Sequence, residues 1–315
     1  MRKLILLCAS VFATVLLISA SPVMAQVSWV GPNGSDNNGC TQTSPCLTFE
    51  GAISKGGISE INCLNNGNYG TFTITASIII DCGGNVGTVA QPSNNLPAIR
   101  ISGTGLNVTL RHLAIEGFGT GQIGIGTASG VSNLNLVIDN CVIDGFANSG
   151  GGSAAGVGIY LTPVGTRSSL TVTDTVVSGS NGTSGDGILV QPSGSAIVSV
   201  SLIGVVIQNN ANGVNFSASG GVTAGIVVDS RVIENTNDGI LVSGTDYITV
   251  DSSTIADNLS VGILSQNSGA NIAVTNTTIT GNGLGVNGSA VISFNNNRLF
   301  LNGTNGSFGG TQPLQ

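Results

Sequence analysis

The stretch Ser230-Arg231-Val232-Ile233-Glu234-Asn235, which leads into Asp238-Gly239-Ile240-Leu241-Val242, decides the fold of this chain. It joins a short apolar strand to a polar turn and then to a strand that begins with Gly-Ile. Related stretches follow one another at spacings of 20 to 34 residues. The last apolar residue of the first strand forms one column: Ile115, Ile143, Val177, Ile207, Ile233, Ile255, Ile279 and Leu299. The residue after Gly forms another: Ile159, Ile188, Val214, Ile240, Ile263 and Val286.

Two columns of apolar residues that recur together over many repeats indicate a solenoid, because a single coil cannot bury its apolar face alone. Each coil from Ile99 onward divides into three short strands. A tight polar turn separates the second strand from the third, at the column His112, Asn140, Asp174, Gly204, Ser230, Ser252, Asn276 and Asn296. We expect stacked Asn side chains in this column to bond one another between coils. The pattern therefore predicts an all-β, elongated parallel solenoid.

The composition suits this architecture. Apolar residues make up 41% of the chain and charged residues only 7%, with 48 glycines. Turns need Gly and Asn, and sheet walls need β-branched residues. Regular apolar periodicity separates the chain from low-complexity, disordered sequences.

Residues 1–25 have the features of a secretory signal peptide, with Arg2 and Lys3 ahead of an apolar run and small residues before a cut after Ala25. A retained membrane anchor is the alternative. Removal of the two basic residues leaves six basic against fifteen acidic residues, a net charge of −9. This balance argues against nucleic acid and anionic membrane surfaces as partners. We predict a secreted, periplasmic or cell-surface protein.

Residues 26–75 form a predicted N-terminal capping segment. Apolar residues at 49, 52 and 53 have helical spacing and predict a short amphipathic helix, which would cover the open edge of the first coil. Export permits disulfides, so Cys40 and Cys46 are predicted to pair, and Cys63 and Cys82 can pair as well. Cys141 is predicted to be a free, buried thiol. The β-helix is expected over residues 76–305 and a disordered tail over 306–315.

The repeat resembles that of pectate-lyase-like proteins. The pattern Asn-Gly-Ile-x-Leu, a gap, and Ile-x-Val-x-Asn-x-x-Ile is similar to their right-handed parallel β-helix repeat, over about residues 60 to 305. The segment from Trp29 through Cys40 and Cys46 resembles the capping segment of exported bacterial members. The resemblance implies a single-stranded right-handed parallel β-helix with a short N-terminal capping helix. It implies no single activity, because this fold carries lyases, hydrolases, epimerases, adhesins and spacers.

The residue before each Gly-Ile forms a column with few acids: Val157, Asp186, Asn212, Asp238, Val261 and Leu284. Coils stack ~4.8 Å apart, so we expect Asp186 and Asp238 to lie ~9.6 Å apart with Asn212 between them. Inverting glycosidases separate their carboxyl groups by ~6.5–9.5 Å. Thr236-Asn237-Asp238-Gly239 is similar to the Asn-Thr-Asp-Gly motif of polygalacturonase-like relatives, but their paired aspartates, His-Gly and Arg-x-Lys are missing. Asp186, Asn212 and Asp238 are therefore catalytic candidates. The alternative is that they serve only to form turns, because Asp-Gly and Asn-Gly pairs are good turn formers.

A second column precedes the polar turn: Asp139, Thr173, Asp229, Asp251, Thr275 and Asn295. We expect the carboxylates of Asp229 and Asp251, in successive coils, to approach within ~5 Å. Pectate-lyase relatives hold calcium with clustered aspartates, so the resemblance implies these two residues as metal-ligand candidates. Calcium takes six to eight oxygens, and solvated acids, one of them paired with Arg231, are the alternative. No other cofactor is expected.

Two functions remain open from the sequence. The first is binding of a polysaccharide or a structural role at a surface, since no outward column holds a complete acid, base and cation set. The second is a polysaccharide lyase or glycoside hydrolase with a divergent site on the middle coils. His112, the only histidine, is predicted to be a structural turn residue. The aromatic side chains considered for stacking on sugar rings are Tyr160, Phe216, Tyr247 and Phe294, with Phe118 and Phe146 in Gly-rich loops.

Overall fold

The computed structural model describes residues 26–91, 96–148, 156–182 and 185–313, so the predicted signal peptide lies outside the described residues. Within these ranges the chain winds into a parallel β-solenoid, in which successive coils each add a strand to three sheets. The predicted solenoid with three short strands per coil is confirmed. In the described part of the chain, no helix is long and apolar enough to cross a membrane.

The three sheets are numbered by the order in which a coil visits them. The first sheet consists of Gln26–Val30, Ile58–Cys63, Ile78–Asp81, Asn107–Arg111, Asn135–Asp139, Arg167–Thr173, Ile197–Ile203, Val222–Val228, Tyr247–Asp251, Asn271–Thr275, Val291–Ser293 and Gly310–Thr311. The second sheet consists of Gly67–Asn68, Gly87–Ala90, Leu113–Glu116, Val142–Asp144, Val176–Ser178, Val206–Gln208, Arg231–Ile233, Thr254–Ala256, Thr278–Thr280 and Arg298–Phe300. The third sheet consists of Phe72–Ile74, Ile99–Ile101, Ile123–Thr127, Val157–Leu161, Asp186–Val190, Asn212–Phe216, Ile240–Val242, Val261–Ser265, Leu284–Asn287 and Thr304–Gly306.

The core is a stack of inward-facing Ile, Val and Leu side chains. Every member of the column after Gly, from Ile159 to Val286, pairs in register with the next and is buried. The glycine before each member also faces the interior, since a Cβ on Gly187 would lie 2.9 Å from Cγ2 of the buried Ile207. The column beginning at Ile159 is therefore confirmed as a wall of the core.

One coil departs from the predicted register by one residue. Val232, and not Ile233, pairs with Ile207 and with Ile255. Val232 is fully buried in the core, and Ile233 lies on the outer side of the strand. A slip of one residue reverses the facing of every side chain in a strand, so this shift moves the acids of the same coil to other columns.

A buried ladder of asparagine side chains explains the true register. Each Asn stands three residues after an inward apolar residue, and its Nδ2 donates to Oδ1 of the Asn in the next coil at 2.8–3.1 Å. The ladder consists of Asn210, Asn235, Asn258, Asn282 and Asn302. The residue before each ladder position has a left-handed backbone, at Asn209, Glu234, Asp257, Gly281 and Leu301. The ladder lies between the second and third sheets, one turn beyond the polar column where Asn stacking was expected. In that polar column itself, Nδ2 of Asn296 donates to Oδ1 of Asn276 at 2.8 Å, so the expected bond forms between these two residues.

The N-terminal cap is a single-turn helix, Phe49–Ile53. Its N-cap Thr48 accepts a hydrogen bond from the Gly51 N–H at 2.9 Å, which satisfies one of the free donors of the first turn. The Phe49 ring packs against Tyr69 and Phe72, with ring centroids 5.1 and 5.0 Å apart. The predicted capping helix is confirmed, and it closes the apolar interior at the first coil.

The helix also satisfies the open edge of the third sheet. Oε2 of Glu50 accepts a hydrogen bond at 2.9 Å from the N–H of Thr73, on the outermost strand of that sheet. An exposed strand edge is a template for pairing with other chains, and this contact occupies one of its donors. Two disulfides, Cys40–Cys46 and Cys63–Cys82, fasten the same region, and both predicted pairings are confirmed.

Both ends of the solenoid extend beyond the predicted boundaries. Strand Gln26–Val30 pairs with Ile58–Cys63 and is the first strand of the first sheet, so the capping segment is continuous with the β-helix. At the other end, Gly310–Thr311 pairs with Val291–Ser293. The described part of the tail predicted to be disordered therefore supplies a strand. Backbone hydrogen bonds to the preceding coil, including Gly309 N–H to Val291 O at 2.8 Å, hold it.

Candidate functional site

The acidic column on the third sheet forms as the sequence predicted. Asp186 pairs in register with Asn212. The pairing of Val214 with Ile240 places Asn212 beside Asp238 in the next coil. The three polar residues are flanked in this column by apolar ones, Val157 in the coil before and Val261 in the coil after. The sequence thus brings Asp186, Asn212 and Asp238 together, with the two carboxylates two coils apart.

Amide groups hold the Asp186 carboxylate from both sides. Nδ2 of Asn212 donates to its Oδ1 at 2.8 Å, and Nδ2 of Asn215 donates to its Oδ2 at 3.2 Å. Only 3% of Asp186 is exposed. Desolvation by burial raises the pKa of Asp186 to about 6, and the two amide hydrogen bonds oppose that rise only in part. This carboxyl group therefore exchanges its proton near pH 6.

Asp238 has a different role in the same column. Its Oδ1 accepts a hydrogen bond from the Val261 N–H at 3.0 Å, and its own N–H donates to Oδ1 of Asn212 at 3.3 Å. Only 8% of Asp238 is exposed. Asn212 thus uses both ends of its amide to connect the coils on either side. The side chains form a closed polar ladder, and the space between the carboxylates is occupied by Asn212.

Asp229 and Asp251 do not share a column. Asp251 pairs in register with Val228, so Asp229 lies one position later, beside Ser252. Asp229 has a left-handed backbone with φ of 50°, the conformation of the turn residue. The expectation that Asp229 precedes the turn is wrong because of the one-residue slip in this coil. Ser230, placed in the turn column from the sequence, instead joins Ser253 in a buried hydroxyl column.

The contacts of Asp251 are those of an acid at a turn. Its Oδ1 accepts hydrogen bonds from the hydroxyl of Ser252 at 2.9 Å and from Nδ2 of Asn276 at 3.2 Å. Across the described ranges, no three His, Cys, Asp or Glu side chains converge in a way that could hold a metal ion. Calcium binding at Asp229 and Asp251 remains a prediction from the sequence. It was based on the two carboxylates lying in one column, and they lie in different columns.

A second charged group, which the sequence did not predict as a site, lies on the early coils. Asp81, Arg111 and Asp139 pair in register in three successive coils of the first sheet. Nδ1 of His112 lies 2.8 Å from Oδ1 of Asp81, and Nε of Arg111 lies 3.4 Å from Oδ2 of Asp139. The contact of Arg111 with Asp139 is an ion pair, and that of His112 with Asp81 is a hydrogen bond. The signal was present in the sequence as acid, base and acid before successive turns, but the irregular early coils hid the spacing.

The Cys141 thiol is buried as predicted and has no disulfide partner. Desolvation by burial raises its pKa to about 12. A thiol with such a pKa is not a nucleophile at neutral pH, because the thiolate is the reactive form. This residue belongs to the core.

The outer face of the first sheet is mostly uncharged in its central columns. One such column consists of Asn107, Asn135, Ser169, Ser199, Ala224, Tyr247 and Asn271. The next consists of Thr109, Val137, Thr171, Ser201, Ile226, Thr249 and Ala273. Tyr247 is 58% exposed and stands between the small side chain of Ala224 and that of Asn271. Its ring therefore rises from a surface of hydroxyl, amide and methyl groups.

The other aromatic candidates divide by burial. Phe216 and Phe146 are fully buried in the core and are unavailable to a ligand. Tyr160 is half-buried, and its hydroxyl lies 3.4 Å from Oε1 of Gln191. Phe118 is 60% exposed, on a turn after the second sheet. Tyr247 is the exposed aromatic residue of the first sheet's face in the described structure.

Comparison with known proteins places this geometry in a wider group. A family model described as right handed beta helix region matches residues 157–310. The solved structure of pectate lyase Pel9A matches 86% of this chain and 76% of its own, with a TM-score of 0.63 and 15% identity. The chain is a right-handed parallel β-helix. At 15% identity, the similarity to the pectate lyase shows that the two chains share a fold and shows nothing about activity.

More distant β-helix structures also match. The Dettilon tailspike protein covers 81% of this β-helix protein, with a TM-score of 0.48 and 16% identity. Pectin methylesterase PemA from Erwinia chrysanthemi covers 83%, with a TM-score of 0.41 and 14% identity. The chain spans 50% of the tailspike and 80% of the esterase. No curated protein has significant similarity in sequence.

Proposed function

We propose that this β-helix protein is exported and binds polysaccharide on the outer face of its first sheet. The observation that carries the proposal is the exposed ring of Tyr247 within two uncharged columns of Asn, Ser and Thr. Sugar rings present apolar C–H faces and polar hydroxyl edges. A surface that offers an aromatic ring beside hydroxyl and amide groups matches both, and an amphipathic tyrosine suits such an interface.

The composition favours a neutral polysaccharide. From the coil of Asn107 to the coil of Asn271, the two central columns contain no charged side chain, and the formal net charge of the chain is −7. A negative protein repels polyanions at long range, so an acidic polysaccharide would need a local cluster of basic residues. The regular ~4.8 Å separation of coils gives an extended chain equivalent contacts along the rod.

Two observations support export. Both disulfides lie in the N-terminal region, and disulfides persist in oxidising compartments. Residues 1–25 have the sequence features of a cleaved signal peptide. N-terminal sequencing of protein recovered from the medium or periplasm of an expressing host should begin at Gln26. Protein retained in the cytosol with Met1 would contradict export.

The binding proposal is tested by replacing Tyr247 with Ala and measuring affinity for a panel of soluble neutral and acidic polysaccharides. Truncation of an aromatic anchor costs over about 1 kcal/mol, so we expect a loss of at least fivefold in affinity for the bound polysaccharide. Phe118→Ala is the matched control, since it removes a similarly exposed ring from another surface. Equal affinity of Tyr247→Ala and wild type would refute this surface, and absence of binding throughout would leave a structural role.

A hydrolase or lyase at Asp186 is the second candidate function. The observation in its favour is the raised pKa of Asp186, which suits a general acid, with Asp238 two coils away as a carboxylate base. The closed hydrogen-bond ladder through Asn212 counts against it. If the site is catalytic, the protein should release reducing ends or unsaturated products from a polysaccharide, and Asp186→Asn and Asp238→Asn should each abolish release. Turnover that survives both substitutions would exclude this site.

A further inference from the structure

We propose that Asp81 and His112 form a general-base site that hydrolyses small acyl esters, such as O-acetyl groups on a polysaccharide. His112 is the catalytic residue and Asp81 its positioning residue. This activity is separate from the polysaccharide binding proposed above and does not depend on it. It rests on the geometry of the pair and on the cavity beside it.

The imidazole is held by one nitrogen and free at the other. Nδ1 of His112 lies 2.8 Å from Oδ1 of Asp81. The same carboxylate oxygen accepts a hydrogen bond from the Gly83 N–H at 2.8 Å, which fixes the carboxylate in turn. Nε2 of His112 has no hydrogen-bond partner within the described residues. A carboxylate that accepts a hydrogen bond from Nδ1 leaves Nε2 as the basic nitrogen, and it also stabilises the imidazolium that forms.

His112 lines a cavity of about 220 Å³ on the edge between the first and second sheets. Val86, Ala114 and Val142 supply apolar surface to it, and Asn140 supplies a side-chain amide. Val86 and Val142 are both exposed, on the two coils that flank the coil of Ala114. Apolar walls suit the methyl end of an acyl group, and Nδ2 of Asn140 is a donor for its carbonyl oxygen. The cavity thus contains the parts that an acyl group needs.

The charged neighbours of His112 are confined to one side. Arg111 precedes it in the chain and pairs with Asp139 at 3.4 Å, and Oδ1 of Asp139 also accepts a hydrogen bond from the Thr173 hydroxyl at 2.6 Å. The residues lining the cavity include no carboxylate and no cation. The site therefore suits a neutral ester.

The reaction uses one water molecule per ester. The water oxygen forms a bond to the acyl carbonyl carbon while Nε2 of His112 takes one of its protons. The carbonyl π electrons move to the oxygen, where the Asn140 amide donates to the resulting oxyanion. The oxyanion then re-forms the C=O bond, the C–O bond to the alcohol breaks, and the proton on Nε2 passes to the departing oxygen. The products are a carboxylic acid and an alcohol.

The first test measures hydrolysis of 4-nitrophenyl acetate by purified protein and by His112→Gln. His112 is the only histidine in the chain, so the substitution removes all imidazole. A positioned general base contributes about 10²–10⁴-fold, and we expect His112→Gln to lose at least a hundredfold in rate. Equal rates for the two proteins would overturn the proposal.

An exposed histidine also cleaves activated esters slowly, so a matched control is needed. The variant His112→Gln with Ser201→His carries one imidazole on the face of the first sheet. Ser201 lies in register between Thr171 and Ile226, with no carboxylate beside it. We expect wild type to exceed this control at least tenfold. Equal rates would show ordinary imidazole reactivity and refute a site.

Asp81→Asn tests the positioning role. We expect kcat to fall about tenfold with KM unchanged, since Asp81 touches the imidazole and not the ester. Thermal melting of the same variant reports how much the contact between Asp81 and His112 stabilises the fold. A lowered melting temperature with full kcat would show that Asp81 only stabilises the fold, and would overturn its assignment.

Discussion

The coils before residue 148 and the coils after residue 180 are held together by different means. The early coils have two disulfides, a capping helix, a cluster of aromatic rings, the ion pair of Arg111 with Asp139 and the hydrogen bond of His112 with Asp81. The later coils have a ladder of buried asparagines and a column of buried hydroxyls. The comparison teaches that a regular ladder needs regular coils. Where the coils vary in shape, bonds specific to one place stabilise the stack.

The largest expected effect concerns the early coils. Replacing Cys63 and Cys82 with Ser opens a loop with a sequence separation of 19, and we expect a loss of about 3 kcal/mol in the free energy of unfolding. The pair Cys40 and Cys46, with a separation of 6, should contribute about 2 kcal/mol by the same chain-entropy argument. Urea denaturation of both double variants measures the difference. A larger loss for the shorter loop would contradict this account.

The pH dependence of Asp186 tests the later coils. Its pKa of about 6 in the folded protein exceeds the ordinary 3.8, so the folded state holds the proton more tightly. Its stabilising contribution is thus complete below about pH 4 and is lost as pH rises through 6. Relative to Asp186→Asn, wild type should lose roughly 2–3 kcal/mol in the free energy of unfolding from pH 4 to pH 7. A difference that stays constant with pH would show that Asp186 is not desolvated.

The ladder itself should be sensitive at its centre. Asn258→Ala removes the Oδ1 that accepts from both Nδ2 and the backbone N–H of Asn235, and it removes the Nδ2 that donates to Oδ1 of Asn282. Buried groups left unpaired are costly, and we expect a loss of about 2 kcal/mol in the free energy of unfolding. Asn271→Ala, on the exposed outer face of the first sheet, is the control and should cost less than about 0.5 kcal/mol. Equal losses for the two variants would mean that the ladder adds nothing beyond an ordinary exposed asparagine.

The smallest effect is expected at the ion pair between Arg111 and Asp139. Both side chains are partly exposed, at 42% and 31%, so solvent and salt screen the pair. A double-mutant cycle with Arg111→Ala and Asp139→Ala should give a coupling below about 1 kcal/mol, reduced further in 1 M salt. A larger coupling that persists in salt would show that the early coils depend on this pair.

The columns of the solenoid were predictable because alternation of apolar residues determines which side of a strand faces the core. The slip at Val232 was not, because Val232 and Ile233 are both β-branched and either can fill the inward slot. The spacing of three residues from Val232 to Asn235 matches that from Ile255 to Asn258 and contains the missing information. Reading the Asn positions first would have moved Asp229 to the turn.

The candidate sites show the same limit. Register alone brought Asp186, Asn212 and Asp238 together, since all three precede a Gly-Ile or Gly-Val pair. The contact of His112 with Asp81 could not be predicted in that way. It depends on the path of an irregular coil of 31 residues and on the left-handed backbone of His112.

Because of the asparagine ladder, the later coils make equivalent hydrogen bonds with their neighbours. Each rung presents the same donor and acceptor to its neighbours, so a coil can be duplicated without an unmatched bond at either junction. A second copy of residues 236–258 inserted after Asn258 would lengthen the rod by ~4.8 Å and carry Asp238 and Tyr247 with it. Insertions of this kind would therefore extend the outer surface near the middle of the molecule by one coil at a time.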